Sequence, residues 1–466
     1  MKPTIITILA ALSLSVSAQK VQWISTVQGD GFRQEKSLDL QPDKSKKITV
    51  KVDVNAPMQT FEGFGGCFNE MGWVALNTLP ADKKEAVYQS LFSKEGCNFN
   101  LCRMPIGAND FATSYYSHND TPDDFEMINF NIDRDKNGLV PYIKGAQKVR
   151  PDLKIWASPW VPPVWMKYNN HYAGRPDAKH NGLDPRTQML EGVTSIKMDQ
   201  AYLKAYALYF EKFVKAYKAQ GIDISAVHVQ NEPMASQNFP SCTWRSEDMA
   251  HFTANFLGPQ FEKAGLTTDI WFGTINCGDV NYFKGALNNE KAMKYFRGAG
   301  FQWAGKEAIA EVHKLYPNLK LWQTESECGD GTNKWEYAEY TWSLLKHYIT
   351  NGVSAYVYWN MILDEKHTSP WNWSQNSLVT VNREKNEVIY NPEFYVMKHF
   401  SHLVQPGARV LKVSGNENML AFRNPDGKLV VNISNPTAQP ATVKVQVGDK
   451  AFTAQLKAHS FNSFVL

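Results

Sequence analysis

Cysteine, net charge and long apolar runs are all scarce in this 466-residue chain, and each shortage removes a class of function. The cysteines, Cys67, Cys97, Cys102, Cys242, Cys277 and Cys328, form no CxxC pair, and no HExxH signature occurs. No metal site and no cofactor is therefore expected. Lys and Arg number 49 against 46 Asp and Glu, and the net charge of +3 argues against nucleic acid or an anionic membrane as the main partner. The apolar run from Ile5 to Val16 is too short to span a bilayer. With Lys2 before it and Val16-Ser17-Ala18 after it, residues 1–18 have the pattern of a secretory signal peptide. Cleavage before Gln19 leaves no Cys at the new terminus, so no membrane anchor is expected. The mature chain is expected as an exported monomer, in a bacterial periplasm or outside the cell. Export permits disulfides in several pairings, and the reading of the cysteines as small buried hydrophobes stands beside them.

What is present points to a large core. The chain is 43% hydrophobic, and although its length alone suggests about three domains, barrels often run past 200 residues as one domain. Fourteen Trp offer faces that suit the C–H faces of sugar rings, but most Trp in any protein are core. The site must therefore be read from motifs.

Alternating apolar segments at residues 21–27 and 48–54 read as strands with no helix between them. After residue 409 come further short strands separated by Gly, Asn, Asp and Pro turns, as in a β-sandwich. Between these ends, strands alternate with longer amphipathic stretches. The strands are expected at 61–67, 98–106, 154–159, 226–231, 270–276, 300–303, 319–325 and 355–360. Helices are expected at 202–217, where Tyr206, Phe210, Phe213 and Tyr217 recur at helical spacing, and at 246–264 and 335–350. Eight such strands predict an α/β fold, a closed (β/α)8 barrel over residues 61–400. The appended sandwich is built from both termini, residues 19–60 and 401–466.

Two strand ends carry chemistry. The stretch 224–233 ends His228-Val229-Gln230-Asn231-Glu232-Pro233, and the stretch 319–325 ends Trp322-Gln323-Thr324-Glu325. A barrel gathers such ends at one mouth. Two carboxylates there suit glycoside hydrolysis, in which one protonates the departing oxygen while the other attacks the anomeric carbon or activates water. A Glu at a strand end also commonly caps the next helix. Two such ends, on the fourth and seventh strands of one ring, favour the catalytic reading.

The chain resembles glycoside hydrolase family 30, the group that includes lysosomal glucosylceramidases and microbial β-1,6-glucanases. The resemblance is carried in order by Gly63-Phe64-Gly65-Gly66, Thr121-Pro122-Asp123-Asp124-Phe125, Ala157-Ser158-Pro159-Trp160, Asn231-Glu232-Pro233 and Thr324-Glu325. It implies a barrel with a β-sandwich, a retaining mechanism, Glu232 as acid/base and Glu325 as nucleophile. It further implies that Asn231 bonds the sugar 2-hydroxyl and that Glu70 grips hydroxyls in the first subsite. Arg103, expected at the end of the second strand, would hold the nucleophile ionised. Trp160 and Trp359 are expected as sugar platforms, Trp371 and Trp373 as either an outer subsite or rim packing. Glu327 shares a strand face with Glu325 and is expected as a supporting acid. Where the glucosylceramidases carry His-Trp-Tyr, this chain has Gln302-Trp303-Ala304, so Gln302 and Trp303 are expected to contact the sugar, and with the run Glu325 to Gly331 it looks more like the β-1,6-glucanase branch. The expected partner is a β-glucan oligosaccharide or polysaccharide. The alternatives are an exo-acting β-glucosidase, a β-xylosidase or glucosylceramidase-like enzyme, and a non-catalytic glycan-binding protein on the same scaffold.

Overall fold

The computed structural model describes residues 19–43 and 50–466. The expected signal peptide and the first residues of the expected 48–54 strand lie outside the described residues.

Eight parallel strands close into a barrel: Gly63–Cys67, Leu101–Ile106, Lys154–Pro159, Ile224–His228, Asp269–Ile275, Phe296–Gln302, Lys320–Glu325 and Ala355–Asn360. The ring closes where Val357 of the last strand pairs with Gly65 of the first. Leu101–Ile106 and Ala355–Asn360 are buried at every position, because helices cover the outer face and side chains fill the inner one. The helix Gln200–Ala219 buries Tyr206, Phe210, Phe213 and Tyr217, the stripe read from their spacing.

Inside, the bottom of the barrel is plugged by Trp156, Trp271 and Trp322. Trp271 and Trp322 stack with ring centroids 4.0 Å apart, and the His228 ring stacks on Trp271 at 5.3 Å. This layer explains why the sixth strand begins at Phe296, well before the expected residue 300. It carries Gly298 and Gly300, which weaken any strand signal. A Cβ on Gly298 would lie 2.3 Å from the Trp271 ring, and one on Gly300 2.9 Å from His228 Nδ1, so only glycine fits.

The expected single helix 246–264 is instead three segments. A π-helical turn, Thr253–Leu257, separates Ser246–Phe252 from Gly258–Ala264. Pro259 has no N–H to donate back along the helix, and the ladder widens just ahead of it.

The two chain ends form one curled sheet. Gln19–Val27 pairs antiparallel with the last strand, Ser460–Val465, placing Trp23 opposite Phe464. Val50–Thr60 runs between Arg409–Ser414 and Ala441–Val447. Val21, Val52, Leu411, Ile433, Phe452 and Phe464 make its core. The helix Pro392–Ser401 joins sandwich to barrel, and its buried His399 meets Ser463 Oγ at 2.7 Å and Thr26 Oγ1 at 2.9 Å. All six cysteines are free thiols, five of them buried.

Candidate active site

The C-terminal strand ends open into a pocket of about 280 Å³, with Glu232, Glu325, Asp110, Trp160, Trp303 and Trp373 in its wall. The carboxylates reach it by different routes. Glu325 is the last residue of the seventh strand. Glu232 lies beyond the fourth strand's last residue, His228, but its chain is still tied to both neighbouring strands. Asn231 N–H donates to Pro159 O at 2.8 Å, and Glu232 N–H to Thr274 O at 3.0 Å. Glu232 (φ 45°) and Trp303 (φ 48°) both take the left-handed backbone region, which re-aims each side chain at a cost of order 1–3 kcal/mol.

Arg103 holds the floor together. Its Nη1 donates to Glu325 Oε2 at 2.7 Å, and its Nη2 to Asn231 Oδ1 at 2.6 Å. Nη2 also donates to Ser158 Oγ at 2.9 Å. The guanidinium is wholly buried beneath the Trp160 ring, 4.3 Å from its centroid. Arginine only donates, so Asn231 must turn its carbonyl toward Arg103. Thr274 Oγ1 and Gln302 Nε2 donate to the same oxygen at 2.9 and 3.1 Å, leaving the Asn231 amide NH2 as the end that faces the pocket.

Gln302 links the two acids. Its Nε2 lies 3.1 Å from Glu232 Oε1 and 3.2 Å from Glu325 Oε2. The second oxygen of Glu325 accepts from the Trp303 indole N–H at 3.0 Å.

These contacts separate the acids electrostatically. Burial pushes Glu232 above the usual carboxylate range, and the nearby Glu325 charge pushes it further. Burial raises Glu325 as well, but Arg103, Trp303 and Gln302 all favour its ionised form. Of the coupled pair, Glu325 therefore gives up its proton first and Glu232 keeps one. A third acid, Asp110, is also held well above its ordinary range, by burial and then by the Glu325 and Glu232 charges.

Several expected positions need correction. Arg103 lies in the middle of the second strand, between the first and third, and not at its end. Glu70 does not line the pocket. It opens the helix Glu70–Leu76, where Arg134 grips its two oxygens at 2.7 and 2.8 Å and Thr113 donates to it twice at 2.7 Å. Burial pushes this carboxyl up, but Arg134 and Thr113 more than offset it and leave it below its ordinary value. Trp359 has no exposed surface and packs against Trp160, 5.2 Å between centroids, so it backs the wall and offers no sugar platform. Trp160 is itself only 2% exposed. Glu327 points away, bound to Lys306 at 2.8 Å and to the Tyr340 hydroxyl at 2.7 Å. Trp371 stacks on Tyr115 while Trp373 reaches the pocket.

Asp110 is the residue that sequence reasoning passed over. It follows the second strand closely, a strand-end acid like the two chosen, and its buried Oδ1 has no partner. Among the described residues, no group of His, Cys, Asp and Glu side chains is arranged to hold a metal, and no helix is long and apolar enough to cross a membrane.

Comparison with known proteins follows the same architecture. Residues 61–404 match the glycosyl hydrolase family 30 TIM-barrel domain and residues 407–464 its β-sandwich domain. The chain is 28% identical over 424 residues to a putative glucosylceramidase 1 of Caenorhabditis elegans, across 85% of this chain and 77% of that one. It is equally, 28%, identical over 439 residues to the endo-1,6-beta-D-glucanase neg1 of Aspergillus fumigatus, across 90% and 88%. The solved structure of the endo-beta1,6-glucanase BT3312 shares the fold, with a TM-score of 0.80 over 96% of this chain and 98% of that one at 24% identity.

Proposed function

The chain belongs to glycosyl hydrolase family 30 and is a glycoside hydrolase, and from that premise we propose an exported retaining β-glycosidase that cleaves β-1,6-linked glucan by double displacement. The observation that carries the mechanism is the Gln302 amide between the acids. One nitrogen at 3.1 and 3.2 Å from an oxygen of each acid brings the near edges of the two carboxyls together, which supports the close pair of a retaining enzyme over the roughly 6.5–9.5 Å of an inverting pair.

In the first step the ionised Glu325 attacks the anomeric carbon while the protonated Glu232 gives its proton to the departing oxygen. Arg103 and Trp303 keep Glu325 anionic and aimed. Glu232, now a carboxylate, then takes a proton from water, and that water releases the sugar from Glu325 with its original anomeric configuration. The Asn231 NH2 is the group available to a hydroxyl beside the reacting carbon, and Asp110 adds a polar group to the same wall.

The β-1,6 linkage rests on the Gln302-Trp303-Ala304 sequence and on the glucanase relatives. The second reading, an exo-acting β-glucosidase or glucosylceramidase-like enzyme, rests on the glucosylceramidase relative, which matches this chain at the same 28% identity as the glucanase. A panel of pustulan, xylan and aryl β-glucoside and β-xyloside decides between them when products are resolved by size. Proton NMR of the first product reads its anomer. An inverted product overturns the mechanism, and binding of pustulan without any product overturns the enzymatic reading.

A further inference from the structure

The departing sugar must sit beside Glu232, the group that protonates it. The chain leaving Glu232 brings Gln237 and Phe239 to the pocket wall, and Asn276 stands next to them. Asn276 Oδ1 accepts from Met234 N–H at 3.1 Å, which leaves its NH2 as the end able to meet a hydroxyl. Trp373, from the loop that follows the eighth strand, packs on the buried Phe239 ring, with centroids 5.9 Å apart and planes inclined at 50°. The partly exposed indole of Trp373, backed by Phe239 and beside two amides, makes a surface suited to a sugar ring, apolar on its C–H face and polar at its edge.

The two rings belong to different loops, and one side chain ties those loops together. Asn238 Nδ2 donates to Trp371 O at 3.2 Å and to Asp177 Oδ2 at 3.2 Å. Asp177 lies on a third loop, after the third strand. His180 Nδ1 lies 2.8 Å from the same oxygen of Asp177, and Asn181 Nδ2 donates to Asn238 O at 2.8 Å. Asn238 directly precedes Phe239, and Trp371 is two positions before Trp373, so the clamp sets the spacing of the pair.

We propose that Trp373, backed by the buried Phe239, binds the sugar on the leaving-group side of the scissile bond, and that Asn238 is the positioning residue that holds these two rings in place. This rests on the glycosidase reading above and adds where its leaving group is held. The test compares a β-1,6-linked glucotetraose with β-glucosyl fluoride, whose leaving group has no ring. Phe239→Ala and Trp373→Ala lower kcat/KM on the tetrasaccharide about tenfold more than on the fluoride, mostly through KM, because one aromatic contact is lost. Asn238→Ala follows the same pattern. Asp177→Ala, which removes the second acceptor of the Asn238 amide, moves in the same direction. Equal losses on both substrates, or none on the tetrasaccharide, overturn the proposal while leaving the glycosidase reading intact. A wild-type enzyme that splits the fluoride but not the tetrasaccharide overturns the β-1,6 reading and this site with it.

Discussion

Replacing Gln302 by methionine keeps the bulk of a wholly buried side chain and deletes the amide NH2 group that both acids share. That donor favours the charged form of each carboxylate, so its removal raises both pKa values. A hydrogen bond to a charged group is worth about 1.5–3 kcal/mol, and one pKa unit corresponds to about 1.4 kcal/mol. Gln302 Nε2 divides itself among Asn231, Glu232 and Glu325. Each acid should therefore lose about a third of that energy, equivalent to about 0.4–0.7 pKa unit. The signs follow from the roles. The acid limb of the rate profile requires Glu325 ionised, and a higher pKa moves that limb up in pH. The alkaline limb requires Glu232 protonated, and its higher pKa moves that limb up as well. The whole bell should shift toward alkaline pH with little change in width. The assay is kcat/KM against pH on a glucan oligosaccharide, where the free enzyme's pair titrates as a unit. A bell that stays in place or moves toward acid would refute the bridging role of Gln302.

Glu325→Ala should lose nearly all hydrolysis and regain turnover of an activated substrate with azide, giving inverted product, whereas Glu327→Ala, bound outside the pocket, should stay active; the reverse pattern transfers the nucleophile to Glu327. Glu232→Ala should cost far more on natural glucan than on aryl glycosides with good leaving groups, because a sugar alkoxide needs the proton and a phenolate hardly does; equal losses would reduce Glu232 to a positioning role. Ending the chain after Ser401 removes the strands that flank Val50–Thr60 and the partner of Gln19–Val27, and should leave an insoluble protein although both acids remain; a soluble, active product refutes the shared sheet.

The barrel was legible because its strands are buried on both faces and its helices on one, and the two periods differ. The same logic announced the sheet made by the chain ends, since strands without a cover must find one. Where side chains from distant segments compete, the local pattern was silent. Glu70 and Asp110 are both acids just after barrel strands, and nothing nearby in sequence distinguishes them. Arg134, far along the chain, claims Glu70, and Asp110 is left facing the pocket. Trp359 reads like Trp160 as a strand-end aromatic, yet its whole surface is covered. The glycines of the sixth strand read as weakness because the rings they accommodate, Trp271 and His228, come from the fifth and fourth strands.

Alternation and order along the chain thus determined the architecture and set Glu325 at the end of the seventh strand and Glu232 shortly past the fourth, because backbone period and strand count are local properties that repeat. Which acid meets which cation was decided only in three dimensions. That Arg103 is buried against Glu325, that Gln302 spans both acids, and that Asn238 ties two rim loops are facts of tertiary packing. They depend on distances between residues far apart in sequence, and a directional hydrogen bond exists only once the whole ring of strands has closed.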